Sequence, residues 1–202
     1  MRIVAVVEGK AEVLAVPVLV RRLVASLRPG VVVDVPTPLW LTKSKAVHKA
    51  GELERFVDLA ARKAGREGAV LILMDSDNDC PAELAPRLLE RARAARSDAA
   101  VDVVLAKREY EGWFLAAAAS IRGMRGLRDD LAPPADPEAI RGAKEWLTKN
   151  MEPGRRYTET LDQPALSQLF DLEAARRAPS FEKLERTLES LVAEVEKRAG
   201  TP

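Results

Sequence analysis

Acidic residues stand directly after two apolar runs of the chain. Glu8 follows Ile3-Val-Ala-Val-Val7, and Asp75 and Asp77 follow Ala69-Val-Leu-Ile-Leu-Met74, with only Ser76 between the two aspartates, so that both side chains can converge. Hard oxygen donors of this kind suit Mg²⁺ or Mn²⁺, which accept one or two carboxylates together with water and phosphate oxygens. Carboxylates packed closely repel one another, and a cation is the natural remedy. Further acids lie within reach of the same edge: Glu12 one helical turn after Glu8, Asp79 in the loop that begins at Asp75, and Glu109 and Glu111 after a fourth apolar run at Val101 to Leu105. Glu109 and Glu111 have an alternative role, favouring a helix start through its dipole.

These acids need a scaffold that brings them together. Residues 3–7, 31–35, 69–74 and 101–105 read as short strands, the first and third as unbroken runs of the kind buried on both faces. Helical spacing recurs over 12–27, with Pro17 expected to kink it early, and over 52–64, 81–96 and 109–121. The stretch 42–50 reads as a loop. Strands alternating with helices predict an α/β fold with a mostly parallel sheet and helices on both faces. Ligands of such sheets gather at the carboxyl ends of the strands, where Glu8 and Asp75 fall.

After residue 121 the pattern changes. Gly123, Gly126 and Pro133-Pro134 mark a linker, Asp136-Pro137 reads as the cap and first residue of a helix running toward Asn150, and Ser180 as the cap of a last helix. Phe181, Leu184, Leu188, Leu191 and Val195 form one apolar stripe on it, expected to pack on the sheet domain. The expected division is an α/β domain over 1–121 and a small all-helical C-terminal region over 122–202.

Composition narrows the chemistry. Of 202 residues 47% are apolar and 31% charged, enough for a real core. Lys and Arg number 32 against 31 Asp and Glu, a net charge of +1, so any nucleic-acid contact must be local. Lys43, Lys45 and Lys49 are such candidates for phosphate, the alternative being a solvated loop. Lys10 and Lys107 join the substrate-binding set. One cysteine, Cys80, and one histidine, His48, furnish neither a disulfide nor a zinc site. There is no phosphate-binding G-x-x-x-x-G-K-[ST] loop, no G-x-G-x-x-G after a strand and no G-x-S-x-G, which argues against a P-loop ATPase, a dinucleotide enzyme and a serine hydrolase. Trp40, Trp113 and Trp146 are expected to pack in the core or between domains. No apolar run reaches a membrane span, and the start meets a glutamate too early for a signal peptide, so the expected address is cytoplasm.

A glutamate after the first strand and D-x-D after the third resemble the Toprim fold of topoisomerases, primases and the overcoming-lysogenization-defect nucleases. More closely, the chain resembles the Toprim-like bacterial family called domain of unknown function 4276. That resemblance rests on Val7-Glu8-Gly9-Lys10-Ala11-Glu12, on Leu73-Met74-Asp75-Ser76-Asp77-Asn78-Asp79, on Arg108-Glu109-Tyr110-Glu111-Gly112-Trp113-Phe114-Leu115, and on Asp136-Pro137 and Pro179-Ser180-Phe181 in the tail. Three positions depart from it: Lys10-Ala11 replace a proline and threonine, and Ala117 stands where an aspartate is common.

The resemblance implies metal-assisted phosphodiester hydrolysis. Glu8, Asp75 and Asp77 would hold one Mg²⁺ or Mn²⁺, and Glu12, Asp79 and Glu111 would complete a second; Glu8 as general acid or base is the alternative. It implies a nuclease-like enzyme of phage defence or DNA processing, with nucleic acid held by a local basic loop and a separately encoded ATPase as partner. Two other readings stay open, a non-catalytic binding module and a hydrolase or transferase acting on a small nucleotide.

Overall fold

The computed structural model describes residues 1–200. Its centre is a four-stranded parallel sheet of order β2-β1-β3-β4, built from β1 (Arg2–Val7), β2 (Leu39–Trp40), β3 (Gly68–Asp75) and β4 (Ala100–Ala106). β1 and β3 pair from Arg2 with Gly68 through Val7 with Leu73, and β3 and β4 from Ala69 with Ala100 through Asp75 with Ala106. This register brings the ends of β1 and β3 side by side, which is what sets Glu8 beside the Asp75 loop.

Alternation of side chains divides the core in two. Val4, Val6, Val70, Ile72, Val103 and Leu105 face α3 (Glu52–Ala64) and α4 (Pro81–Ala95). Ile3, Ala5, Leu71, Leu73 and Val104 face α1 (Lys10–Leu27) and the C-terminal helices. Those comprise α6 (Ala143–Lys149), α7 (Glu159–Leu169), α8 (Leu172–Ala175) and α9 (Pro179–Ala199), after a short α5 (Gly112–Ala116). The apolar stripe of α9 is buried from Phe181 to Val195. The architecture is therefore α/β, with helices on both faces of the sheet and a helical C-terminal region.

Aromatic rings weld the two halves of this face. Tyr110, Trp113, Phe114, Phe170 and Phe181 form a chain of tilted and edge-on contacts with centroids 4.6 to 5.7 Å apart. Arg22 of α1 donates to the carbonyls of Ser167 and Phe170 at 2.7 and 2.8 Å, stitching α1 to the end of α7.

Several local expectations change. Residues 31–35 make only a bridge from Asp34 to Arg2, and the ladder resumes at Leu39, opposite Val6. Pro36 and Pro38 cannot donate to a ladder, and the chain spends one residue more than β1 between the two contacts. Within the expected loop, residues Lys43–His48 form a short helix, α2. Pro17 lies inside α1, which runs unbroken to Leu27 and gives up one i to i−4 bond there. The helix expected over 109–121 is shorter, α5 followed by a 3₁₀ turn at Ala118–Ile121. Asp136 Oδ1 does accept from the N–H groups of Glu138 and Ala139, but it caps a 3₁₀ turn; Gly142, at φ +71°, then redirects the chain into α6. Ser180 lies inside α9, where its hydroxyl accepts from Trp113 Nε1 at 2.9 Å. Among the described residues no helix is long and apolar enough to cross a membrane.

Candidate functional site

The carboxyl edge of the sheet gathers acids from four segments. Glu8 leaves β1, Glu12 rises one turn into α1, Asp75 ends β3, and Glu111 sits in the turn between β4 and α5. Glu12 is the common member: its charge pushes up the pKa of Glu8, Asp75 and Glu111 alike, on top of burial, which is the main cause for each of them.

Glu111 is fully buried. Its Oε1 accepts from the Tyr157 hydroxyl at 2.9 Å and from Gln163 Nε2 at 3.1 Å, both from the C-terminal region, while Oε2 has no donor. Burial pushes its pKa up to about 7, against the pull of Lys144 and the Tyr157 hydrogen bond. Glu12 is also buried and curls back over Gly9, where an added Cβ would meet Glu12 Oε2 and displace that carboxylate. Its Oε2 and that of Glu8 likewise lack donors. Asp75 accepts at Oδ1 from the Tyr110 N–H at 2.8 Å, yet burial and the neighbouring Glu111 and Glu12 carboxylates hold it well above the usual range.

One cation stands against the inner acids. Burial works against the charge of Lys144, on α6, but Glu111, Glu159 and Asp75 outweigh it and raise its pKa. Lys144, Tyr157 and Gln163 are invisible to sequence reasoning, because they reach the site from short helices and a loop whose only cue is ordinary polarity.

Asp77 and Asp79 face the other way. Asp77 adopts the left-handed φ of +50°, its N–H donating to the Arg108 carbonyl at 2.9 Å. Arg108 is itself left-handed at +63°, and its N–H donates to Ser76 Oγ at 2.8 Å. Two strained backbones thus brace one another at the mouth of the site. Lys43, on α2 and nearly buried, donates through Nζ to the Ser76 carbonyl at 2.8 Å and to Asp77, and reaches Asp79 at 3.1 Å. Although burial opposes its charge, those two carboxylates raise its pKa. The expected trio of Glu8, Asp75 and Asp77 is therefore divided: Asp75 turns inward to Glu12 and Glu111, and Asp77 outward to Lys43, close enough to Glu8 to raise its pKa.

The remaining candidates spread over the rim. Lys45 and Lys49 are exposed, and Lys49 pairs with Glu52. Lys10 lies 5.6 Å over the ring of Trp40, which is 50% exposed and donates through Nε1 to the Glu8 carbonyl. Trp40 is thus not a packing residue, unlike Trp113, which is buried, and Trp146, which packs partly buried on the core. Lys107 lines a separate groove with Leu89 and Lys183. Glu109 belongs neither to α5 nor to the acid cluster; its Oε1 accepts from the N–H groups of Gly142 and Ala143 at 3.1 and 3.2 Å, at the start of α6.

Among the described residues, no three acidic, histidine or cysteine groups stand as a ready-made metal cage. Three buried carboxylate oxygens, on Glu8, Glu12 and Glu111, have no donor, and carboxylate oxygens are the ligand type hard divalent cations take.

Residues 7–189 match a family described as a domain of unknown function (DUF4276). No curated protein and no solved structure matches the chain.

Proposed function

Since the chain belongs to this domain-of-unknown-function family over most of its length, and carries the acid cluster at its sheet edge, we propose that it is a divalent-metal-dependent phosphodiester hydrolase. The observation that carries this reading is the trio of buried, donor-free oxygens on Glu8, Glu12 and Glu111 beside Asp75. Buried oxygens of this kind take water or a cation as partner, and three of them on carboxylates at one sheet edge favour the cation.

Glu8, Glu12, Asp75 and Glu111 would hold Mg²⁺ or Mn²⁺. Such an ion, when bound, polarises a phosphoryl oxygen and lowers the pKa of its water. Tyr157 and Gln163 orient Glu111 by fixing one of its oxygens, and the Tyr110 N–H does the same for Asp75. Lys144 balances the inner negative charge. Lys43 holds the Ser76–Asp79 loop in place, through the Ser76 carbonyl and the two outer aspartates. Resemblance to Toprim nucleases supports the same chemistry.

The test is a Mn²⁺ titration followed by electron paramagnetic resonance, with hydrolysis of a mixed nucleic-acid panel read in parallel. The wild type is expected to bind at micromolar to millimolar concentration, and Asp75→Asn and Glu12→Gln to abolish binding and cleavage together. Unchanged affinity in both variants, or no binding by the wild type, overturns the metal site. Metal binding without cleavage of any substrate favours a binding module instead.

A further inference from the structure

Strand order lays four residues across the carboxyl edge in sequence: Trp40 at the end of β2, Glu8 after β1, Asp77 after β3 and Arg108 after β4. At about 4.8 Å between neighbouring strands, this row is roughly 14 Å long. Its two ends carry the chemistry that recognises a base and a phosphate.

At the first end, Trp40 is half-exposed although indoles are usually covered. Its Nε1 is fixed on the Glu8 carbonyl, and Lys10 lies over the ring at 5.6 Å. The ring is held rigid next to the acid site, with Lys10 over it and half of its surface still exposed. Such a platform stacks an unpaired base of any identity.

At the other end, a cleft of about 200 Å³ is lined by Asp77, Asn78, Arg108, Glu109, Arg141 and Gly142. Its acids are held in place: the charge of Asp77 is offset by Lys43, and Glu109 accepts from two N–H groups at the α6 start, against which its own charge stays directed. Its two guanidinium groups are anchored by neutral oxygens instead, Arg141 by Asn78 Oδ1 at 2.8 Å and Arg108 by the Glu138 carbonyl at 3.3 Å. Each fork therefore keeps its full charge and further N–H donors for an anion, and planar forks match phosphate.

We propose that a single strand of nucleic acid crosses this edge, one base stacked on Trp40 and a backbone phosphate held by Arg108 and Arg141, so that the phosphodiester between them passes the acid cluster. This rests on the hydrolase reading and assigns its substrate class. A duplex keeps its bases stacked on each other and has none to give Trp40; a small nucleotide does not reach both ends of the row.

Fluorescence anisotropy of a fluorescein-labelled oligothymidylate of about twelve nucleotides, in EDTA, tests it without any metal. Trp40→Ala is expected to weaken binding about tenfold, and Trp40→Phe to restore most of it. Arg141→Ala and Arg108→Asn are expected to weaken it to a similar degree, and the slope of log affinity against log salt to fall by about 0.7 for each phosphate no longer neutralised. Asparagine is chosen at 108 because it tolerates the left-handed backbone. A duplex of the same length and inorganic pyrophosphate are expected to compete poorly. Unchanged affinity in Trp40→Ala or in the two arginine variants, equal competition by duplex or pyrophosphate, or no binding by the wild type overturns the proposal. The Mn²⁺ titration is independent: strand binding that depends on Trp40 and the arginines, in a protein that takes up no Mn²⁺, defeats the hydrolase reading and leaves the strand path standing.

Discussion

Tyr157 donates its phenolic hydrogen to Glu111 at 2.9 Å, joining two residues 46 positions apart and tying the helical C-terminal region to the floor of the acid cluster. Burial and the neighbouring Glu111 carboxylate push the phenol pKa far up, so the hydroxyl remains a donor at any working pH.

Tyr157→Phe deletes that donor and little else. A hydrogen bond to the charged form of an acid favours ionisation, so its loss raises the Glu111 pKa beyond its value of about 7. Weaker Mn²⁺ binding at neutral pH, recovering as pH rises, is expected in a titration series. A stability loss of about 1 kcal/mol accompanies it in urea denaturation.

The metal-free protein is expected to become less stable as pH rises from about 4.5 to about 7. Glu111 has a folded pKa near 7, above its ordinary 4.5. Within that window the folded state holds a proton that the unfolded state has released, so its contribution is fully present at the acid end and lost on passing the folded pKa. The contribution changes by about 1.4 kcal/mol per pH unit across the window. Glu111→Gln should flatten this part of the profile of thermal midpoint against pH, and an unaltered profile would contradict the assignment.

Glu109→Ala should cost about 1 kcal/mol by uncapping the Gly142 and Ala143 N–H groups at the start of α6. Glu109→Gln, which keeps the accepting oxygen, should recover most of this in thermal denaturation. Because α6 carries Lys144, the alanine variant is also expected to weaken Mn²⁺ binding several-fold.

Gly68→Ala should be among the most damaging small substitutions. A Cβ there would meet the Arg2 carbonyl oxygen at 2.7 Å and the Ala64 carbonyl carbon at 2.8 Å, both backbone atoms of packed elements. Neither can move without shifting β1 or α3, and a loss of roughly 2 kcal/mol or more is expected in denaturant unfolding.

β1, β3 and β4 are legible in the sequence because strands buried on both faces appear as unbroken apolar runs, and the acids that follow β1 and β3 come with them. β2 is not, because Val31 to Val35 has the right composition while two prolines decide where pairing takes place. Asp75 and Asp77 have the same residue type and neighbouring positions, yet the left-handed turn at Asp77 sends them to opposite sides, and no spacing rule reads a φ angle. Glu12 and Glu111 are legible as acids near the edge. The partners that give them their character, Lys144, Tyr157 and Gln163, depend on how the distant helices dock.

The proline-broken stretch beside β1 bears on how copies of the chain meet one another. A parallel sheet with bare flanks invites a neighbour to extend it. On one flank Pro36 and Pro38 withhold the hydrogens an incoming strand would seek. On the opposite flank Val101, Val103 and Leu105 are shut in and Asp102 Oδ1 already accepts from the Val103 N–H. Each margin thus presents fewer free backbone donors than a bare strand would, which works against edge-to-edge pairing between copies of the chain.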